Sequence, residues 1–379
     1  MRKDLAIIII AYNRPASLSR LLSSLDQLVY QNADITLIIS VDKSENNQVE
    51  KIAADYEWKF GSKRVVIANQ RLGLKDHVLK CGDMTEEFEN VIVLEDDLMV
   101  SPFLVSYADQ AIAFYKDCNN IAGISLYSHK RNIINHLPFI AYEDGYDNFF
   151  LQIAQSWGQI WNRDRWQSFK KWLASDRLCT SGKPIHQYIL SWPDSSWLKL
   201  HIQYLVAKDL YFVYPRVSLT TNCGDAGSNV SRADYSYMVP MMMGGRDYYF
   251  SSFFESSSVY DCYFEMTHKN LKKIVGQLDV LDFEVDTYGD KSQTKDTFGL
   301  SLVAELDNKN CFYSIYNQPT ALPIDPSLGS VYGVGIKNKK NKTAKDSYRA
   351  LLKMSYGRLS FGDLWTLIML KIRKKINRE

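Results

Sequence analysis

The sequence lacks closely spaced cysteines. Its six cysteines are scattered along 379 residues, with no C-x-x-C pair and no zinc-finger spacing. This pattern argues against a disulfide-stapled secreted module and favours reduced thiols in a cytosolic chain.

Long apolar runs are also missing. The apolar run Leu5–Ala11 is too short to cross a bilayer and carries no signal-type cleavage site, and nothing else reaches spanning length. We therefore expect a soluble protein that is at most peripherally attached to a membrane. With 46% hydrophobic residues the chain can bury a sizeable core, which excludes a largely disordered chain. Its length predicts two or three domains, or one large domain with additions.

Charge is unevenly distributed although the net charge is only +2. Residues 337–379 hold 13 Lys and Arg against three acidic residues, a net charge of +10, and the remainder carries −8. A basic tail on a mildly acidic body suits an anionic surface.

The first third of the chain alternates apolar runs with helical patterns. We predict strands at Leu5–Ala11, Thr36–Val41, 64–68, 91–94 and Ile121–Ser125, and helices after Pro15 and Pro102. This alternation predicts an α/β, Rossmann-like fold with a mainly parallel sheet and helices on both faces.

Polar side chains follow three of these strands. They are Asn13 and Arg14, then Asp42, then the run Glu95, Asp96 and Asp97. In parallel sheets ligands bind beyond the carboxyl ends of the strands, so we expect these side chains to line one site.

The run VIVLEDDLMV is the strongest local signal. Three carboxylates after a buried strand repel one another, and a divalent cation relieves that penalty. Oxygen ligands favour Mg²⁺ or Mn²⁺, which share substrate phosphates. Strand alternation would place Glu95 and Asp97 on one side and Asp96 on the other. A solvated acidic turn is the alternative.

The order of IIIIAYNRPASLSRLLSSL, LIISVDKSE, VIVLEDDLMVSPFL and SWGQIWNRDRW resembles inverting glycosyltransferases of the GT-A fold. That group includes N-acetylglucosaminyltransferase I and bacterial polysaccharide (family 2-like) glycosyltransferases. The resemblance covers roughly residues 5–230.

The resemblance implies a role for each matching residue. Asp97 ligates Mn²⁺ (or Mg²⁺), Glu95 and Asp96 face the donor sugar and ribose, Asp42 contacts the uracil and Arg14 borders the nucleotide. The full set of candidates for binding the nucleotide sugar is Ala11, Asn13, Arg14, Asp42, Glu95, Asp96, Trp157 and Gly158. An Asp at position 42 suits the imide N–H of UDP, although dTDP presents the same edge; a helix cap or turn is the alternative for this residue.

An inverting transfer needs a base to take the proton of the acceptor hydroxyl. The resemblance points to Asp194 in WPDSSW, and a helix N-cap is the alternative for this residue. Asp147, Asp164 and Asp225 are the reserve candidates.

The segment SWGQIWNRDRW is expected to line the donor sugar and the acceptor. Gly158 would let a backbone approach a sugar closely, and aromatic faces stack on pyranose C–H surfaces. Trp161 and Trp166 are interpreted as core residues.

The C-terminal sequence predicts a basic amphipathic helix, with Phe361, Leu364, Trp365, Ile368 and Ile372 on one face. Such a helix suits an anionic membrane, or it docks on the body or on a partner subunit. We expect no nucleic-acid partner, and a homo-oligomer stays open.

We predict three segments: a catalytic domain over residues 1–230, with a nucleotide-sugar half to about 130 and an acceptor half beyond; a mixed α/β extension over 231–330; and a linker with the basic helix over 331–379. The expected activity is transfer of a hexosyl or N-acetylhexosaminyl group to a glycan or lipid-linked glycan in surface polysaccharide synthesis, at the cytoplasmic membrane face.

Two alternatives stay open. One is a catalytically inactive glycan-binding or assembly protein. The other, a nucleotidyltransferase, is disfavoured because IAYNRPASL contains no glycine for a phosphate loop.

Overall fold

The computed structural model describes residues 2–175, 185–227, 233–274, 284–287, 291, 298–303, 311–313, 319–321 and 333–338, and positions 360, 362, 365 and 369. The chain divides into two compact units, Met1–Ile274 and Val275–Glu379. The first unit therefore extends past the boundary that the sequence placed at residue 230. The reason is that Val259–Tyr260 adds a strand to the edge of its sheet.

The strands of the first unit are β1 (Leu5–Ala11), β2 (Thr36–Val41), β3 (Lys63–Ile67), β4 (Asn90–Glu95), β5 (Leu98–Val100), β6 (Ile121–Ser125), β7 (Asn148–Leu151), β8 (Gln159–Asn162), β9 (Tyr211–Pro215), β10 (Thr220–Asn222) and β11 (Val259–Tyr260). Nine of them form one sheet in the order β11-β7-β9-β6-β8-β4-β1-β2-β3. Strands β1, β2, β3, β4, β6 and β9 run in one direction, while β7, β8 and β11 run in the other. The prediction of an α/β fold with a mainly parallel sheet is confirmed.

The helices of this unit are α1 (Pro15–Leu25), α2 (Gln48–Asp55), α3 (Leu74–Gly82), α4 (Leu104–Tyr115), α5 (Arg163–Ala174), α6 (Gln187–Leu190), α7 (Trp197–Lys208) and α8 (His268–Ile274), with 3₁₀ turns at Asp83–Glu86 and Tyr235–Tyr237. Helix α1 begins at Pro15, whose fixed φ and missing N–H suit a first helical turn.

Helices cover both faces of the sheet. On one face Ile7 and Ile9 belong to a buried cluster that includes Leu21 of α1. On the other face Trp161 of β8 contacts Trp166 of α5, with ring centroids 4.3 Å apart, and also the N-terminal turn of α7. Burial of each such large apolar side chain stabilises the fold by about 1.5–3 kcal/mol.

The aromatic segment over residues 149–174, which the sequence indicates is partly helical, is helical only in its second half. Strands β7 and β8 come first, and the helix α5 begins at Arg163. Strand β8 lies antiparallel between β4 and β6. The interpretation of Trp161 and Trp166 as core residues is confirmed, since they are 1% and 2% exposed.

A two-stranded ribbon leaves the carboxyl end of β4. Strand β5 pairs antiparallel with β10, and the backbone N–H of Cys223 donates to the carbonyl oxygen of Asp97 at 3.0 Å. The ribbon therefore brings the loop after β10 beside the acidic run.

The second unit contains a five-stranded sheet in the order β12-β13-β16-β14-β15. Its strands are β12 (Glu284–Val285), β13 (Phe298–Val303), β14 (Cys311–Tyr313), β15 (Pro319–Ala321) and β16 (Gly333–Asn338). The segment 333–338 is thus a strand paired with β13, where the sequence predicted a linker from residue 331.

The predicted C-terminal helix lies largely outside the described residues, including Phe361, Leu364, Ile368 and Ile372. Trp365 is described, is helical and is 64% exposed. Within the described ranges, every helix is too short or too polar to cross a bilayer.

Candidate active site

The acidic run lies at the carboxyl edge of the parallel strands. Strand β4 ends at Glu95, and Asp96 and Asp97 form the turn into β5. Strand alternation therefore stops at Glu95. The prediction that Asp96 and Asp97 point to opposite sides is wrong, because both carboxylates reach the same guanidinium group.

That guanidinium belongs to Arg14, in the turn between β1 and α1. Its Nη1 donates to Asp97 Oδ2 at 2.9 Å, and its Nη2 makes an ion pair with Asp96 Oδ1. Burial would lower the pKa of Arg14, but the charges of Asp96 and Asp97 outweigh it and raise that pKa. Arg14 therefore stays cationic and neutralises part of the acidic run.

One oxygen of Asp97 is left over. Its Oδ1 is buried and accepts no hydrogen bond from any residue in the described part of the chain. Asp97 as a whole is 8% exposed. A buried carboxylate oxygen without a donor is costly, and a hard divalent cation would satisfy it.

The residues present fit a metal ion that takes only some of its ligands from the protein. Among the described residues, no group of three or more His, Cys, Asp or Glu side chains is arranged to hold an ion. Mg²⁺ and Mn²⁺ commonly bind through one or two carboxylates and complete their shell with water and substrate phosphates. Asp97 is the residue that would supply the protein ligand.

The other two acids are strongly perturbed. Burial, then the charge of Asp97, raises the pKa of Glu95 to about 8. Burial also raises the pKa of Asp96 to about 6, although Arg14 opposes the shift. Titratable groups displaced in this way are typical of functional sites, although structural ion pairs can displace them too.

Asp42 lies at the end of β2 and is 3% exposed. Its Oδ1 accepts the N–H groups of Lys43 and Leu72 at 2.8 Å each, and its Oδ2 accepts that of Gly73 at 3.0 Å. Since Gly73 is the N-cap residue of α3, Asp42 ties that helix start to the sheet edge. The turn role is therefore present, and the uracil contact stays a prediction.

Two further residues meet above the ends of β1 and β3. The guanidinium carbon of Arg71 lies 4.0 Å from the ring centroid of Tyr12. The Tyr12 backbone N–H also faces Asp96 Oδ2 at 3.4 Å. This stacked pair borders the acidic run, and the sequence pattern did not indicate it.

The remaining candidates in this region differ in exposure. Ala11 is buried, and its carbonyl oxygen accepts the N–H of Asp42 at 2.9 Å. Asn13 is exposed to solvent. Their contacts with a nucleotide stay predictions.

The loop after β10 is tied to α1. Asp225 Oδ2 accepts the hydroxyl of Ser17 at 2.7 Å and makes an ion pair with Arg20. Burial raises the pKa of Asp225, but the hydrogen bonds from Arg20 and Ser17 outweigh it and lower that pKa. Gly227 lies in the same loop, and a Cβ atom built on it would be 3.1 Å from Arg14 Nη1. The loop therefore lies against the Arg14 side chain.

Trp157 lies just before β8, two residues from Gln159, which pairs with Val93 of β4. Trp157 is partly exposed, and its ring centroid lies 4.8 Å from that of Tyr127 and 4.7 Å from that of Tyr237. These three rings form an aromatic cluster at the start of β8.

The Gln155 side chain holds the turn that carries Trp157. Gln155 Oε1 accepts the N–H groups of Ser156 and Trp157 at 2.8 and 2.9 Å, and Gln155 Nε2 lies 3.0 Å from His129 Nε2. Burial lowers the pKa of His129 to about 3, so its ring stays neutral and can accept this bond.

Gly158 has a φ of +94°, and a Cβ atom there would lie 2.7 Å from Thr220 Cγ2. Its missing side chain thus lets β8 approach the β5–β10 ribbon. Whether it also approaches a sugar stays a prediction.

Asp194 lies three residues before the first residue of α7. Its side chain is fully exposed, and its Oδ1 lies 3.0 Å from Lys199 Nζ. Ser196, not Asp194, caps α7: its hydroxyl accepts the Lys199 N–H at 3.3 Å. The cap alternative for Asp194 is therefore wrong, and the base role stays a prediction.

No protein-family model matches the chain, and no curated protein matches it. Solved structures do match. One is S. aureus TarS residues 1–349, with 13% identity and a TM-score of 0.37, covering 56% of this chain and 60% of that one. Another is the same fragment in complex with UDP-GlcNAc, with 12% identity and a TM-score of 0.34, covering 56% of this chain and 58% of that one.

A third match is the mannosyltransferase PcManGT from Pyrobaculum calidifontis in complex with GDP-Man and Mn²⁺. It has 14% identity and a TM-score of 0.37, covering 57% of this chain and 58% of that one. The chain spans about 60% of the length of these matched structures. Similarity at this level assigns no activity to the chain.

Proposed function

We propose that this protein is a metal-dependent, inverting glycosyltransferase. It would move a hexosyl or N-acetylhexosaminyl group from a nucleotide diphosphate sugar, UDP-linked, to a hydroxyl of a glycan or lipid-linked glycan. The observation that carries this proposal is the buried Oδ1 of Asp97, which has no hydrogen-bond partner among the described residues and lies beside the Arg14 guanidinium at the carboxyl end of β4. A carboxylate oxygen without a donor, next to a cation, suits a metal diphosphate.

Each neighbouring residue then has a stated task. Asp97 holds the metal, and Arg14 binds the diphosphate through its planar fork of donors. Asp42 orients the uracil, and Glu95 and Asp96 accept hydrogen bonds from hydroxyl groups of the donor sugar and the ribose. When bound, Mn²⁺ or Mg²⁺ stabilises the negative charge of the departing diphosphate.

The chemical step moves one bond and one proton. The acceptor oxygen attacks the anomeric carbon, the bond from that carbon to the diphosphate breaks, and the acceptor proton passes to Asp194. Attack from the face opposite the leaving group inverts the anomeric centre. Trp157 would shield that carbon by packing on the sugar C–H face.

The setting proposed for this activity is surface polysaccharide synthesis at the cytoplasmic face of a membrane. The support for this setting is the net charge of +10 on residues 337–379 and the exposed Trp365. A lipid-linked acceptor would place the substrate at such a surface.

The test is metal-dependent turnover of nucleotide sugars. Purified protein is incubated with a panel of UDP-, GDP- and dTDP-sugars, with Mn²⁺ or with EDTA, and release of the nucleotide diphosphate is followed. We expect slow hydrolysis of a UDP-sugar that requires Mn²⁺ and is lost in Asp97→Asn. Full metal-dependent activity in that variant would remove Asp97 from the site.

A catalytically inactive glycan-binding protein is the second candidate. The observation that favours it is that Arg14 already pairs with both Asp96 and Asp97, as in a structural ion pair. Titration calorimetry separates the two candidates, because an inactive scaffold should show no binding of UDP with Mn²⁺.

A further inference from the structure

The Arg14 side chain lies beside the place proposed for the metal. Its Nη1 is 2.9 Å from Asp97 Oδ2, and its Nη2 pairs with Asp96 Oδ1. Both acids are buried, at 8% and 2% exposure, while the Arg14 side chain is 23% exposed. The guanidinium therefore closes the acidic run from the solvent side.

A metal ion and this guanidinium compete for the same carboxylate. A cation on Asp97 Oδ1 would lie within a few ångströms of Arg14, and two positive groups at that separation repel strongly in a partly buried site. Asp97 has only one oxygen left, so a bidentate grip by the metal is impossible while Arg14 holds Oδ2. The metal alone should therefore bind weakly.

A diphosphate changes the balance because it offers Arg14 a second anionic partner. Guanidinium groups bind phosphate oxygens with two parallel hydrogen bonds, as they do carboxylates. The loop after β10 lies against this side chain, since a Cβ atom on Gly227 would be 3.1 Å from Arg14 Nη1. The guanidinium itself loses no hydrogen bonds in this exchange, because each of its bonds to a carboxylate is replaced by one to phosphate.

We propose that Arg14 is a resident counter-cation that holds Asp97 until a nucleotide diphosphate draws it away, so that metal and nucleotide bind together and neither binds well alone. This inference rests on the proposed function and deepens it. The coupling is reciprocal: the factor by which UDP strengthens metal binding equals the factor by which the metal strengthens UDP binding.

The experiment measures Mn²⁺ binding directly, from the electron paramagnetic resonance signal of free Mn²⁺, with the full chain at pH 8. Titrations are made with and without UDP for the wild type, Arg14→Gln and the control Arg20→Gln. Arg20 is matched because it lies six residues further along the chain, in α1, and pairs with Asp225 rather than with Asp96 or Asp97.

We expect wild type to bind Mn²⁺ at least about tenfold more tightly with UDP than without it. Arg14→Gln should bind Mn²⁺ alone about tenfold or more tightly than wild type does, because the repulsion is gone. UDP should then add little in this variant. Arg20→Gln should behave as wild type does. Circular dichroism checks that each variant is folded.

The outcomes separate this inference from the proposed function. Tight binding of Mn²⁺ with UDP in wild type, with equal metal-only affinities in wild type and folded Arg14→Gln, overturns the inference and leaves the function standing. Loss of all metal binding in folded Arg14→Gln also overturns it, since Arg14 would then organise the acids. Absence of any binding of Mn²⁺ or UDP by wild type overturns the function itself. If Arg14→Gln does not fold, equal wild-type affinities for Mn²⁺ with and without UDP still overturn the inference.

Discussion

The carboxylate of Asp42 accepts the backbone N–H of Gly73 at 3.0 Å, so the end of β2 is linked to the N-cap residue of α3. The same carboxylate accepts two further backbone N–H groups, from Lys43 and Leu72. The residue that the sequence assigned to the base of the nucleotide is thus also a structural acceptor at the sheet edge.

Asp42→Asn should weaken both roles. The amide keeps one acceptor oxygen and brings an NH₂ group toward backbone donors, so we expect a loss of about 1–3 kcal/mol in the free energy of unfolding. UDP affinity should fall as well. Urea unfolding and calorimetry measure the two effects, and Asp76→Asn, on the exposed side of the first turn of α3, is the control. A destabilised variant with unchanged UDP affinity would confine Asp42 to its structural role.

Stability should fall as the pH rises through neutrality. Burial holds the pKa of Glu95 at about 8 in the folded chain, against 4.5 without the fold. Between these values the unfolded chain has released a proton that the folded chain retains, so a rise in pH favours unfolding. The slope approaches about 1.4 kcal/mol per pH unit for this group and vanishes above pH 8.

Glu95→Gln should therefore be less sensitive to pH and more stable than wild type at pH 8. Urea unfolding from pH 5 to 9 in EDTA gives the slopes, with the exposed Glu57→Gln as control. Identical slopes in wild type and Glu95→Gln would show that Glu95 ionises normally.

Alanine substitutions at two glycines distinguish the cost of backbone strain from the cost of a steric clash. Gly158 and Gly145 have φ values of +94° and +89°, but a Cβ atom would meet Thr220 at 2.7 Å at the first position and nothing within 4 Å at the second. Gly145→Ala should cost about 1–3 kcal/mol through its backbone alone. Gly158→Ala should cost about 1–3 kcal/mol more, because the ribbon must shift. Equal losses in unfolding free energy would mean that the Thr220 contact gives way easily.

Asp194→Asn tests the proposed base. If Asp194 takes the acceptor proton, turnover should fall by about 10²–10⁴ while UDP affinity stays unchanged. Asp164→Asn is the matched control, since Asp164 is also exposed and lies in the first turn of a helix, α5. Full activity in Asp194→Asn with a loss in Asp164→Asn would transfer the role to Asp164.

Local pattern was enough to place most of the parallel strands. Leu5–Ala11, Thr36–Val41 and Ile121–Ser125 have the bounds expected from sequence, because each is a short buried run between polar turns. Strand β8 was missed. It has four residues in an aromatic segment, and its place between β4 and β6 is set by pairings with distant strands.

The acidic run was recognisable from sequence because three carboxylates follow an apolar strand. The pairing of these carboxylates with Arg14 could not be recognised from sequence. Arg14 and Asp97 are 83 residues apart, and Ser17 and Asp225 are 208 apart, so only the folded sheet edge brings them together. The prediction that Asp96 and Asp97 face opposite sides failed for the same reason, since the turn after Glu95 is shaped by those contacts.

The most direct measurement is the position of manganese in crystals soaked with UDP and Mn²⁺. The anomalous signal of manganese should appear within about 2.0–2.3 Å of a carboxylate oxygen of Asp97 and of a diphosphate oxygen, with the Arg14 guanidinium turned toward the phosphates. Crystals that contain UDP with Asp97 still bound to Arg14 and no manganese peak at the carboxyl end of β4 would contradict the assignment.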